Sequence, residues 1–389
     1  MADQHTLRLQ RAKTREQIVC VRCVMDTSDP DISFDETGVC NHCRRFDAQV
    51  KPILAAIESG KAAGVLEQEI ARIKEEGKGQ RYDCVVGVSG GVDSSYVAHL
   101  AGQHGLRALC VHFDSGWNTE FAVRNIENLL RSLDFDLWTH VVEWAEMRDL
   151  QVAFFRSGVA NCDTPTDHAI PGVLNRVARR FGIRTILSGS NASTESILPL
   201  SWAYHPNDHW QLLDVHRRFG SVKLDSYPLI DFWQNYFIYP HYHDIKTFKI
   251  LNYIHYDKAE AKEAIKKELH WTDYGGKHEE SVFTRFFQQY YLPTRFGFDK
   301  RKPHLASLIL SGQITREEAL DQLRLPPYNQ QQIEFDLEFI AKKLDMSVAE
   351  LEALIAKPGV HHRAYRSLEP FFDLGIAAKR KLRQFGILR

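Results

Sequence analysis

Cys84-Val85-Val86-Gly87-Val88-Ser89-Gly90-Gly91-Val92-Asp93-Ser94-Ser95 is the stretch on which the fold turns. Its first half is a short, valine-rich apolar run with the length and composition of a buried strand. Tyr96, Val97 and Leu100 then fall at helical spacing. A glycine pair between strand and helix lets the backbone turn tightly and approach a ligand, so that consecutive N–H groups and the helix N-terminus point at one place. That place suits a pyrophosphate. Ser89, Ser94 and Ser95 add hydroxyls, while Asp93 either holds a magnesium ion or caps the helix.

Outward from this loop, short apolar runs alternate with amphipathic stretches. Strands are predicted at 84–88, 106–113, 137–142 and 185–188, and helices at 94–104, 121–133, 147–155 and 171–181. The alternation predicts an α/β fold, a parallel sheet with helices on both faces. In such sheets the carboxyl ends of the strands line the ligand crevice. His112, Phe113 and Asp114, at the end of the second strand, are therefore candidates to contact adenosine, with strand-end packing as the alternative. After about Tyr239 the strand signal fades and the chain turns helical and aromatic. Thr315-Arg316-Glu317-Glu318 and Ser347-Val348-Ala349-Glu350 fit capping boxes and predict helix starts at Thr315 and Ser347. The organisation expected is a polar leader (1–17), a four-cysteine module (18–46), connecting helices (47–80), the α/β domain (81–240) and a helical C-terminal region (241–389).

The 389 residues are 44% hydrophobic and 25% charged, the make-up of a folded chain, with a net charge of -1. No excess of positive charge draws in a phosphate backbone, which argues against a nucleic-acid partner. No apolar run approaches the roughly 20 residues of a membrane span, and Met1-Ala2-Asp3-Gln4-His5 does not open a secretory signal. A cytoplasmic protein without a membrane partner is expected. Cys20-x2-Cys23 and Cys40-x2-Cys43 stand 16 residues apart, inside the spacing of structural zinc sites. Four thiolates would close a tetrahedron around Zn2+ with no position open to substrate; an iron–sulfur cluster or a redox dithiol are the alternatives. His42, between these cysteines, is expected to face solvent. Cys84 and Cys110 fall in predicted strands, whereas Cys162 lies in a polar segment and reads either as a packed residue or as a reactive thiol.

Ser89-Gly90-Gly91-Val92-Asp93-Ser94-Ser95 after a buried strand resembles the PP-loop of the N-type ATP pyrophosphatases, which include GMP, NAD and asparagine synthetases and tRNA thiolases. It is unlike the Gly-x-x-x-x-Gly-Lys-Ser loop of phosphoryl transfer. The resemblance implies a PP-loop, adenine nucleotide alpha hydrolase-like domain that cleaves ATP between the α and β phosphates and attaches AMP to a substrate oxygen. It makes Ser89 through Ser95 ATP-binding, and Ser188, Gly189 and Asn191 resemble the superfamily's second nucleotide-contacting turn.

The cysteine pairs ahead of this loop, Cys162-Asp163-Thr164-Pro165-Thr166-Asp167-His168, Tyr274-Gly275-Gly276-Lys277-His278-Glu279-Glu280-Ser281 and Ser311-Gly312-Gln313-Ile314-Thr315 together resemble the N-acetyl sugar amidotransferases of surface-polysaccharide and flagellin-glycan biosynthesis, over about Cys20 to Leu320. That resemblance implies conversion of an acetamido to an acetamidino group on a nucleotide-linked sugar, typically a UDP-linked 2,3-diacetamido uronic acid. Ammonia would come from a separate glutaminase and barrel subunit pair. Asp93 and Ser94 are expected to act in adenylation. Among Lys277, Arg285, Lys300 and Arg301, Lys277 is the foremost candidate for holding pyrophosphate, and His168 and His278 are candidates for moving the ammonium proton. The rival is a tRNA sulfurtransferase that uses Cys162.

Overall fold

Alternation along single strands explains why helices cover both sides of the sheet. In β1 (Cys84–Gly87), Cys84 and Val86 enter one apolar cluster and Val85 enters another. Ala108 and Cys110 of β2 (Ala108–Asp114) part in the same way from Leu109 and Val111. A strand apolar on both faces belongs in the middle of a covered parallel sheet. The computed structural model, which describes residues 4–12, 15–273, 275 and 280–375, places it there. The sheet has five strands in the order β3-β2-β1-β4-β5, with β3 at Asp136–Val141, β4 at Thr185–Leu187 and β5 at Lys246–Phe248; all pairings are parallel.

One face is covered by α1 (Val92–Gln103) and α2 (Glu120–Leu133), which bring Val97, Leu100, Ile126 and Leu129. A long helix follows β3, α3 (Trp144–Ser157), before α4 (Thr164–Arg180) covers the opposite face through Val173 and Val177. On the first face α5 (Lys258–Leu269) adds Ile265 and Leu269. Because α4 leads into β4, which runs with the other strands, its N-terminus lies at the carboxyl edge of the sheet.

Three differences from the sequence reading have physical causes. β5 lies beyond the boundary expected at 240; three residues with one buried side chain are too short to show a period. α4 begins at Thr164 rather than near Pro171, because Pro165 occupies the first turn, where a missing N–H costs nothing, and Pro171 is accommodated inside the helix. The four-cysteine segment does not stand apart. Its cysteines, Val24 and Met25 belong to the same apolar cluster as α3 and the C-terminal helices. The guanidinium of Arg316 donates to the carbonyls of Cys20 and Cys23 at 3.1 Å, and Lys302 pairs with buried Asp26. Both capping boxes are present, at Thr315 and Ser347.

Two glycines test the packing. A Cβ on Gly172 of α4 would meet the Pro228 carbonyl oxygen at 2.2 Å, whereas one on Gly64, in the helix Lys61–Glu76, would meet nothing within 4 Å. Gly172→Ala should lower stability by about 1–3 kcal/mol, and Gly64→Ala should raise it by up to about 1 kcal/mol, both read from urea midpoints. Equal midpoints for the two variants would contradict the packing of α4.

Candidate active site

β1 and β4 are adjacent although β2 and β3 lie between them in the chain, and the crevice outside the carboxyl ends of such a pair is where open α/β sheets bind ligands. The glycine loop leaves β1 there, and the Ser188-Gly189 turn leaves β4. Gly90 has φ +81°, and a Cβ on it would stand 2.5 Å from the Ala122 carbonyl oxygen of α2. The Gly90 carbonyl accepts from Trp271 Nε1 at 2.9 Å and from Asn125 Nδ2 at 3.4 Å. Within the loop, the Ser89 and Ser94 hydroxyls lie 3.3 Å apart, and Ser94 Oγ donates to the Gly91 carbonyl at 3.2 Å. The first hydrogen bond of α1 runs from Ser95 N to Gly91 O, and Gly91 offers no side-chain cap. Amides ahead of that bond are the ones a helix N-terminus presents to an anion.

Asp93 sits in the first turn of α1 but does not cap it. Its Oδ1 accepts from the hydroxyl of Tyr256, and its Oδ2 lies 3.7 Å from Lys258 Nζ. Gly189 closes against it: a Cβ there would stand 3.3 Å from the Asp93 carbonyl carbon. These groups border a cleft of about 830 Å³. Ser89, Gly91, Val92, Asp93 and Ser94 form one wall, and Gly189 and Ser190 the turn beside it. Lys258, Lys262, Lys300 and Arg301 also line it, as do Glu195, Asp257, Asp273 and Asp299. Lys262 pairs with Asp273 at 2.5 Å. The carboxylate of Asp93 is the kind of hard oxygen ligand that Mg2+ takes alongside phosphate oxygens.

Several expected residues lie elsewhere. His112 is buried; Nδ1 donates to the Val88 carbonyl at 2.8 Å, while Nε2 accepts from Asn118 at 2.9 Å, so the ring braces the root of the loop. Asp114 accepts from Gly116 N and Asn118, and Phe113 stacks on His140; none of the three lines the cleft. Ser95 and Asn191 do not line it either, the first having a buried hydroxyl, the second capping the helix Ala192–Glu195. Ser188 Oγ accepts from Ser190 N at 3.2 Å and shapes the turn. His168 cannot move a substrate proton: it is fully buried, Nδ1 donates to the Pro206 carbonyl at 2.7 Å and Nε2 accepts from Ile230 N at 3.1 Å. Burial holds its pKa down at about 4, so the ring is neutral. Arg285 is engaged by the buried carboxylate of Asp336 at 2.7 and 2.9 Å, and Arg301 by Asp299 and the carbonyls of Gln322 and Leu325. Lys277 and His278 lie outside the described residues.

Conversely, Tyr256, Lys258, Lys262 and Trp271 escaped the sequence reading. Tyr256 reaches Asp93 across 163 residues, and no local motif marks it.

Cys20, Cys23, Cys40 and Cys43 are all buried, and their sulfurs lie within 4.8 Å of one another, three of the pairs at 3.6–3.8 Å. A tetrahedron with Zn–S near 2.3 Å has edges of about 3.8 Å. Arg22 N and Met25 N each donate to a cysteine sulfur at 3.4 Å. The donor set fits a closed zinc site. His42, expected in solvent, is instead buried 2.7 Å from Asp29, because the segment packs on the rest of the molecule. Cys162 is fully buried, and its thiol is pushed well up by burial and by Asp163. Among the described residues, no helix is long and apolar enough to cross a membrane.

Residues 280–379 match the family model described as LPS biosynthesis protein WbpG-like, C-terminal domain. Over that segment the match bears out the resemblance to proteins of surface-polysaccharide biosynthesis. Among solved structures, NMN synthetase from Francisella tularensis aligns with 74% of this chain and 97% of its own at 14% identity. The TM-score of that alignment is 0.28. No curated protein matches the sequence.

Two outcomes follow from this geometry. Metal analysis of the purified protein should give about one zinc per chain, lost with Cys20→Ser or Cys43→Ser; iron–sulfur absorbance in its place would sink the assignment. The second concerns Asp163, whose pKa is raised to about 8 by burial and then by Asp167. The unfolded carboxyl titrates near about 3.9, so between the two values folding takes up a proton and stability falls as pH rises. Asp163→Asn should flatten that decline between about pH 4 and pH 8 in urea titrations; an unchanged slope would mean that Asp163 is ionised in the native protein.

Proposed function

We propose that this chain is an ATP-dependent amidotransferase that converts a sugar acetamido group into an acetamidino group, releasing AMP and pyrophosphate. The observation that carries the reading is the anion-ready loop 89–94, with Asp93 and Lys258 at its mouth, opening on a cleft shared with the WbpG-like C-terminal segment. Gln288, Gln289, Lys300 and Arg301 of that segment line the same cleft.

An amide oxygen leaves poorly. In the proposed reaction it attacks the α-phosphorus of ATP, the α–β bond breaks, and the departing pyrophosphate takes up negative charge. The amides at the head of α1 and the hydroxyl of Ser94 receive that charge, with Lys258 and Lys300 as the neighbouring cations. Asp93 would hold Mg2+, which supplies charge neutralisation on the phosphate oxygens. Ammonia then adds to the imidate carbon, AMP leaves with the former amide oxygen, and loss of a proton gives the neutral amidine. A nucleotide-linked 2,3-diacetamido uronic acid is the substrate class the resemblance favours, with ammonia delivered by a separate glutaminase and barrel subunit pair in the cytoplasm. The cysteine site, held 0% exposed, has no position for substrate and serves structure. The sulfurtransferase reading is disfavoured by Cys162: a persulfide carrier needs an accessible, readily ionised thiol.

Incubated with ATP, ammonium and candidate nucleotide sugars, the protein should release AMP and pyrophosphate only with an acetamido sugar, whose product carries nitrogen in place of oxygen by mass spectrometry. Cys162→Ala should keep this activity, and Asp93→Ala or Ser94→Ala should lower kcat by roughly 10². Turnover that depends on a tRNA and on Cys162 would overturn the proposal.

A further inference from the structure

Asp93 stands at the mouth of the cleft on a side chain that, left alone, samples several rotamers. Its orientation is imposed by a residue 163 positions further along the chain. Tyr256 is 3% exposed and its ring lies 5.7 Å from that of Tyr96 on α1, so the phenol has a fixed direction. Its hydroxyl donates to Asp93 Oδ1. Burial, and then the charge of Asp93, raises the phenol's pKa, so it remains a donor.

The backbone that leads on from the ring is held in turn by one amide side chain. Gln313 Nε2 donates to the Tyr256 carbonyl at 3.0 Å, and Gln313 Oε1 accepts from Lys258 N at 3.2 Å. Gln313 thus pairs with residues 256 and 258 as a neighbouring strand would. It follows Gly312, whose φ of +79° turns the chain out of the helix α6 (Arg301–Leu310). Both ends of the relay fall at the cleft, which Gln313 and Asp93 line.

We propose that Tyr256 and Gln313 are positioning residues, a clasp by which the WbpG-like segment sets the direction of the Asp93 carboxylate for the magnesium–pyrophosphate group. The inference rests on the reading of loop 89–94 as a pyrophosphate site. Carboxylates that bind cations are oriented by hydrogen bonds from the next layer of residues, and loss of such a partner weakens binding. With the phenol gone, Asp93 must be ordered at the moment of binding. Because the clasp belongs to both parts of the cleft, Gln313 adds to what Lys300 offers the phosphates directly a second contribution of the C-terminal segment, made at one remove through Asp93.

The test titrates magnesium pyrophosphate into the full-length protein by calorimetry, with melting temperature measured on each sample. Tyr256→Phe keeps the ring and its packing and should weaken binding about 10-fold, the scale of one hydrogen bond to a charged group. Gln313→Leu, which removes both backbone contacts, should shift affinity in the same direction and decides the matter if Tyr256→Phe does not fold. On an Asp93→Asn background, Tyr256→Phe should change affinity by less than about 2-fold, since the partner it orients has lost its charge. Wild-type affinity in Tyr256→Phe, or a full additional loss on the Asp93→Asn background, overturns the clasp alone. Silence from the wild type and every variant overturns the pyrophosphate reading, and the clasp with it.

Discussion

Position 90 admits no side chain, and the seat of the loop follows from that. With φ at +81° and the Ala122 carbonyl 2.5 Å from where a Cβ would be, the backbone at Gly90 lies directly on α2. Only such close contact lets the Gly90 carbonyl reach both Asn125 on α2 and Trp271 after α5. Asn125 in turn exchanges hydrogen bonds with the backbone of Thr272 at 2.7 and 2.9 Å. The underside of the loop is thereby fully engaged, and the amides at the head of α1 are left to whatever enters the cleft. A larger residue would lift the loop off α2 and undo these contacts together.

Electrostatics at the mouth of the cleft follow from the same seating. A carboxylate in the first turn of a helix is favoured by the local dipole, yet a polyphosphate bound as proposed would repel it. Asp93 is reconciled with that setting by a phenol on one oxygen and Lys258 near the other. The acidic and basic side chains around the cleft are mixed, with Lys262 paired to Asp273 and Arg301 to Asp299. Under the proposed function, Lys258, 3.7 Å from Asp93 Oδ2, is the lysine placed to exchange that carboxylate for phosphate.

Much of this was legible because it is local. The valine run, the glycine pair and the period of α1 lie within about twenty residues, and the cysteine spacing fixes a knuckle geometry whatever surrounds it. His112 and His168 show where local reading stops. Both are histidines at the carboxyl side of the sheet, and in both a backbone carbonyl takes the Nδ1–H while Nε2 accepts, from Asn118 in His112 and from Ile230 N in His168. Nothing in a sequence announces that a polar ring will be satisfied by main chain far away. Tyr256 shows the converse: an aromatic residue between His255 and Asp257 carries no signal until the fold sets it against Asp93. Lys262 lacks one for the same reason.

The placement of the cysteine site joins these observations. Arg316 binds the carbonyls of Cys20 and Cys23, and it opens the capped helix that begins three residues after Gln313. Gln313 holds Tyr256 and Lys258, and these hold Asp93. A rigid knuckle at one end of this series therefore bears on a carboxylate at the other, through contacts that are each a single hydrogen bond or ion pair. Four thiolates brought this close are unfavourable without a cation between them, since each ionised sulfur repels the others. The ion that relieves that repulsion would also fix the carbonyls on which Arg316 depends. The four-cysteine cluster, built into the shared core rather than tethered outside it, thus has a structural route to Asp93.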